Sequence, residues 1–167
     1  MAEKDVVFES KLKSSLIFDL KNTYQFAYEW LQSEQYDTLE KEYSEKIGAS
    51  SKEVEIKWES LRKLSDYFKF QIDSSFRILR LTEVEVKDES GKVSKMNKGD
   101  FELKVKGTLI KDYDNKWVQN NWSKFYRGIY EKYVIPSRVK QYEDKLFVEC
   151  DTYLAQMKSY LDLTGKK

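Results

Sequence analysis

The chain of 167 residues contains no histidine, one cysteine (Cys150), one proline (Pro136) and 6 glycines. Without histidine there is no Ser-His-Asp or Cys-His nucleophilic site and no His-ligated zinc or iron site. A single cysteine cannot close an internal disulfide or build a thiolate metal cage within one chain, and it fits a reducing compartment. A surplus of one charge is also missing: 30 Lys and Arg are balanced by 29 Asp and Glu, a net charge of +1. Nucleic-acid binders carry a clustered basic stripe. Here the signs alternate along each segment, as on a solvated surface, so no nucleic-acid partner is expected. No run approaches the ~18 apolar residues needed to span a bilayer. The charged opening Met1–Asp5 leads directly into a strand-like pattern instead of a signal peptide. The expected location is cytoplasmic, and Asn121-Trp122-Ser123 is read as a chance match to a glycosylation acceptor.

Aromatic residues, by contrast, are plentiful, with 12 Tyr, 9 Phe and 4 Trp, and they fall into two periodicities. Val6, Phe8 and Leu12 largely alternate with Glu9, Lys11 and Lys13, the pattern of a half-buried strand. Asp19 then stands at an N-cap position. Leu20, Tyr24, Ala27 and Leu31 follow at spacings of four, three and four, predicting an amphipathic helix over about 19–33. A weaker alternation over 38–47, with Leu39, Tyr43 and Ile47 on one side, and a turn at Gly48-Ala49-Ser50-Ser51 lead to a clean one through Val54, Ile56 and Trp58. From Phe68 the even positions Phe70, Ile72, Phe76 and Ile78 form the longest apolar stripe, which Leu79-Arg80-Leu81 interrupts. Asp88-Glu89-Ser90-Gly91 predicts a hairpin loop, Lys98-Gly99 a second turn, and Phe101, Leu103, Val105 and Leu109 a last strand. The final third reads as helical. Pro136 should end or kink a first helical segment near Ile135. Val139, Tyr142, Leu146, Cys150, Tyr153, Met157 and Leu161 then predict a helix over about 137–162, closed by Thr164-Gly165. No repeat or linker divides the chain, so one α+β domain over 1–167 is expected.

This order of a strand, a helix, strands joined by short turns and a long C-terminal helix resembles the helix-grip fold of the START and SRPBCC superfamily, which includes the birch-pollen-allergen-like proteins. The resemblance implies an antiparallel sheet of about six or seven strands curled around the C-terminal helix. It further implies an apolar cavity between sheet and helix for a lipid, hormone or polyketide. It rests on element order and matches no motif, so it assigns no functional residue.

Candidate site residues therefore come from breaks in pattern. Arg80 either sits on a bulge that turns it to solvent, the favoured alternative, or points onto the face of Phe70 and Phe76. An inward guanidinium would require a carboxylate from the protein or a ligand. Ser74 and Gly107 occupy apolar-phase positions where a small residue leaves room, for a cavity or for close contact with the last helix. Aromatics gather at Trp117, Trp122, Phe125, Tyr126, Tyr130 and Tyr133, as a ligand mouth, a protein-contact patch or a seal on the sheet's end. Cys150 lies on the apolar stripe with no histidine to activate it and reads as core packing. Asp112-Tyr113-Asp114-Asn115-Lys116 opens like a calcium loop, but Lys116, Trp117 and Ser123 stand where an oxygen ligand, a glycine and an acid are needed.

The expectation is a non-catalytic domain that takes an apolar small molecule between sheet and C-terminal helix, with Arg80, Ser74, Phe70, Phe76, Gly107 and Tyr126 as the candidate ligand-binding set and no cofactor. The alternative is a structural or interaction protein that self-assembles, as a homo-oligomer, or docks a partner through exposed aromatics. An enzyme using Tyr, Lys or carboxylate groups stays open.

Overall fold

The computed structural model describes residues 2–111, 122, 125, 128, 129, 132 and 135–165. Its elements are β1 (Glu3–Phe18), α1 (Leu20–Ser33), β2 (Asp37–Ile47), β3 (Lys52–Lys63), β4 (Phe68–Lys87), β5 (Val93–Lys111) and α2 (Ile135–Thr164). The strands form one antiparallel sheet in the order β1-β5-β4-β3-β2. Consecutive hairpins account for β2 to β5, while β1 closes against the last strand. The chain must therefore cross from one sheet edge to the other, and α1 makes that crossing. A sheet of this kind with a C-terminal helix against it is compatible with a helix-grip arrangement.

Among the described residues five strands replace the expected six or seven. The difference arises at Lys98-Gly99, where a turn was expected and β5 instead runs straight through. Leu79 pairs with Asp100 and Thr82 with Lys98, so Arg80 and Leu81 together oppose Gly99. A Cβ on Gly99 would lie 2.8 Å from the Leu79 carbonyl oxygen. The glycine thus permits a close backbone approach at a bulge, the other common meaning of glycine inside a strand pattern. The bulge also explains the broken alternation of β4: inward positions are even up to Ile78, and Leu81 is the next buried residue.

The other turns lie where turn residues predicted them. Gly48 N–H donates to the Ser51 carbonyl at 2.8 Å, and Asp88 N–H to the Lys92 carbonyl at 3.0 Å, with Gly91 at φ 85°. Asp19 caps α1, its side chain accepting from the Asn22 amide at 3.2 Å. A second orphan amide of that first turn, Leu20 N–H, donates to Asn97 Oδ1 of β5 at 3.1 Å, fixing α1 to the sheet.

The core lies between the inner sheet face and the two helices. From β4 and β5 it takes Phe68, Phe70, Ile72, Phe76, Ile78, Phe101, Leu103, Val105 and Leu109. Thr23, Ala27 and Leu31 face it from α1, and Leu146, Cys150, Tyr153, Met157 and Leu161 from α2. α2 has 30 described residues, of which Pro136 is the second. In the segment before it, Trp117, Tyr126, Tyr130, Tyr133 and the Asp112–Lys116 motif lie outside the described residues. The outer sheet face carries exposed ion pairs such as Lys104–Glu9 at 2.8 Å and Lys57–Glu42 at 3.1 Å, the ordinary dress of a solvated face.

Candidate functional site

The region beneath α2 is filled at the positions expected to leave room. Ser74 is buried and its hydroxyl lies 3.2 Å from the Tyr153 hydroxyl. Tyr153 is itself enclosed, with Trp30 stacked on it at 4.9 Å between ring centroids. Burial pushes the Tyr153 pKa upward, so the hydroxyl stays protonated as the partner of Ser74. At Gly107 an added Cβ would stand 2.6 Å from Cys150 Sγ. The missing side chain of the sheet is thus replaced by the thiol of the helix. Phe70 and Phe76 are buried as well, Phe76 edge-on to Trp58 at 4.8 Å. Cys150 belongs to the core, and burial raises its pKa to about 12, far from the thiolate that a nucleophile needs. Tyr126 of the candidate set lies outside the described residues.

Arg80, the other candidate, does not join them beneath α2. It sits on the bulge at φ 52°, with its side chain 79% exposed. Its Nε and Nη2 donate to one oxygen of Asp100 at 2.7 and 2.6 Å. Ser15 donates to the other oxygen at 2.5 Å. The Ser15 hydrogen bond and the Arg80 contact hold the Asp100 carboxyl below the usual range. Around this trio, with Leu16, Ile17, Thr82 and Lys98, lies an open cleft of about 470 Å³.

A different inward arginine is present, and the sequence signal for it was available. Arg62 continues the even phase of Val54, Ile56, Trp58 and Ser60 on β3. Its Nη2 donates to Glu149 Oε1 of α2 at 2.9 Å, and its Nη1 to the Glu34 carbonyl at the end of α1, also at 2.9 Å. Glu149 Oε2 accepts from the Tyr36 hydroxyl at 2.6 Å. The guanidinium also lies 5.0 Å from the Tyr36 ring centroid and 5.2 Å from that of Phe70. Desolvation, and then the hydrogen bond and charge of Glu149, raise the Tyr36 pKa, keeping it a neutral donor. Four elements meet in this network, and its groups are engaged with one another. It acts as a staple. Among the described residues no buried side-chain polar atom lacks a partner, and no group of three or more metal-ligating side chains is placed to hold an ion.

What the interior does not absorb appears on the surface of β2. Leu39, Tyr43 and Ile47 recur four residues apart and are 58%, 56% and 83% exposed. β2 is the last strand of the sheet, paired on its β3 side. Tyr43 lies opposite Ile56 and shares its inner face. Ile47, opposite Lys52, lies on the same side, and Leu39 falls on the outer face across a bulge at Lys41. Trp122, Phe125 and Ile129 form a second exposed apolar set. None of the described helices is long and apolar enough to cross a membrane.

Comparison with family models, with curated proteins and with solved structures gives no match for this chain.

Proposed function

We propose that this chain is a non-catalytic interaction module that docks an extended segment of a protein partner along the β2 edge. One observation carries the reading: apolar side chains that elsewhere fill the interior stand exposed on Tyr43 and Ile47, beside a strand that pairs on one side only among the described residues. An edge strand offers a row of backbone donors and acceptors, and alternate side chains beside it supply specificity. β2 has both over the 11 residues from Asp37 to Ile47. An apolar ligand between sheet and α2, as the helix-grip resemblance implies, has less support. Tyr153 and Cys150 already occupy the space at Ser74 and Gly107.

The test is site-specific photo-cross-linking in the cells that express the chain, with a benzophenone side chain at Tyr43 and, as control, at Lys104 on the outer sheet face. Adducts from position 43 and none from position 104 support the docking edge. An absence of adducts at both positions overturns it.

A further inference from the structure

From the β2 edge we infer that the partner is a second copy of this chain, paired antiparallel β2 to β2 about a twofold axis at Ser44. This rests on the reading of β2 as a docking edge and identifies its occupant.

The argument is one of self-complementarity. In an isologous contact, residue i of one copy meets residue j of the other and j meets i. Past the bulge at Lys41, the run Glu42-Tyr43-Ser44-Glu45-Lys46-Ile47 pairs regularly with β3. An axis at Ser44 sets Glu42 opposite Lys46 of the second copy, and by symmetry Lys46 opposite its Glu42. Both residues lie on the outer face, in the phase of Lys57, which faces Glu42 across the β2–β3 pair. Lys46 makes no ion pair among the described residues, whereas Glu42 already accepts from Lys57 at 3.1 Å. The new contact would extend that pair into the row Lys57–Glu42–Lys46, and opposite charges directly across a ladder stabilise it.

On the inner face the same axis places the two Tyr43 rings on diagonal positions, with each Ile47 diagonal to the other copy's Tyr43. Aromatic side chains reach across such diagonals. The small Ser44 side chain lies at the axis, where the two strands approach. The exposed Tyr43 and Ile47 of the inner face thereby gain an apolar neighbour, and the two five-stranded sheets become one.

The charges on this edge are what protect a strand from indiscriminate pairing. Arranged Glu-x-x-x-Lys about a central serine, they oppose most incoming strands and match their own antiparallel copy. Repulsion of wrong partners and attraction of the right one come from the same residues.

The experiment is sedimentation equilibrium of the full chain, with circular dichroism to follow folding. The wild-type chain is expected to dimerise. Lys46→Glu sets acid opposite acid twice and should raise the dimer Kd about tenfold or more. Adding Glu42→Lys to Lys46→Glu restores the opposite pairing and should restore the dimer. A wild-type chain that stays monomeric, or a dimer insensitive to both variants, overturns self-pairing. The mass of the adduct from position 43 separates the two proposals. An adduct of twice 20.0 kDa supports a second copy. An adduct of another mass keeps the docking edge and overturns its occupant.

Discussion

Gly107 and Cys150 touch across the sheet–helix interface so closely that a Cβ on the glycine would lie 2.6 Å from the sulfur. Leu146 Cγ, 3.4 Å from the same point, closes the other side. Gly107→Ala therefore overpacks the interface and is expected to cost about 1–3 kcal/mol. Cys150→Ala removes the opposing atom, so in the double variant much of that penalty should disappear. Urea unfolding of the wild type, both singles and the double measures the coupling. Strictly additive losses would mean that the two residues do not share the space.

Arg62 and Glu149 give a second cycle. Their side chains are 12% and 13% exposed, so removing one leaves the other charge largely desolvated. Arg62→Met alone is expected to cost about 3 kcal/mol, at the lower end for a broken buried pair. Arg62→Met combined with Glu149→Leu should recover part of that loss, because two packed apolar side chains replace two ions. Denaturant midpoints decide the matter. A double variant less stable than Arg62→Met alone would show that the pair contributes net stability beyond satisfying itself.

These two contacts also mark how far the sequence could be read. Parity correctly assigned Ser74 and Gly107 to the inner face and helical spacing assigned Cys150 and Tyr153 to the inner stripe of α2. Neither reveals that the small positions of one element oppose the bulky ones of the other, which depends on the depth and offset at which α2 crosses the sheet. Arg80 stands out because it breaks an alternation, while Arg62 keeps its phase, although a charge in phase with Ile56 and Trp58 is the stronger hint of burial. Gly99 shows a different ambiguity. A lysine-glycine pair flanked by polar residues fits a turn as well as the far side of a bulge, and only the pairing of β4 with β5 distinguishes them. The alternation over 38–47 sets Leu39 beside Tyr43 and Ile47, but the bulge at Lys41 turns Leu39 to the other face, and the strand's place at the end of the sheet depends on long-range pairing.

At Arg80 backbone and side chain make separable contributions. A non-glycine residue at φ 52° bears about 1 kcal/mol of left-handed strain. Its pair with Asp100, on an exposed and solvent-screened side chain, contributes little. Arg80→Gly relieves the strain and loses the pair, so a change within about 1 kcal/mol of wild type is expected. Arg80→Val loses the pair and increases the strain with a branched Cβ, and should cost about 1–2 kcal/mol. Thermal melts of the two variants check the order. Equal destabilisation would assign the site to its ion pair and not to its backbone.

Stability should fall steeply in alkali, and Cys150 should set where the fall begins. Burial raises its pKa to about 12, against about 8.5 for a thiol in an unfolded chain. Burial also raises Tyr36 and Tyr153 above the ordinary tyrosine range, which lies at about 10. Each group holds its proton in the folded chain and releases it more readily on unfolding. The unfolded state therefore binds fewer protons wherever the pH exceeds its own pKa, and the stability of the fold declines as pH rises. The contribution is complete below about pH 8 and is lost progressively from the unfolded thiol pKa towards the folded one, with the tyrosines joining above about pH 10. Urea midpoints measured at neutral pH, near pH 9 and near pH 10 trace this decline. Cys150→Ala should start from a lower midpoint but flatten the first part of the slope, leaving the tyrosine part intact. The native thiol should likewise resist alkylation at about pH 8 and react once the chain is unfolded in urea. A Cys150 that alkylates rapidly in the folded chain, or a variant with an unchanged slope between about pH 8 and 10, would place the thiol outside the core.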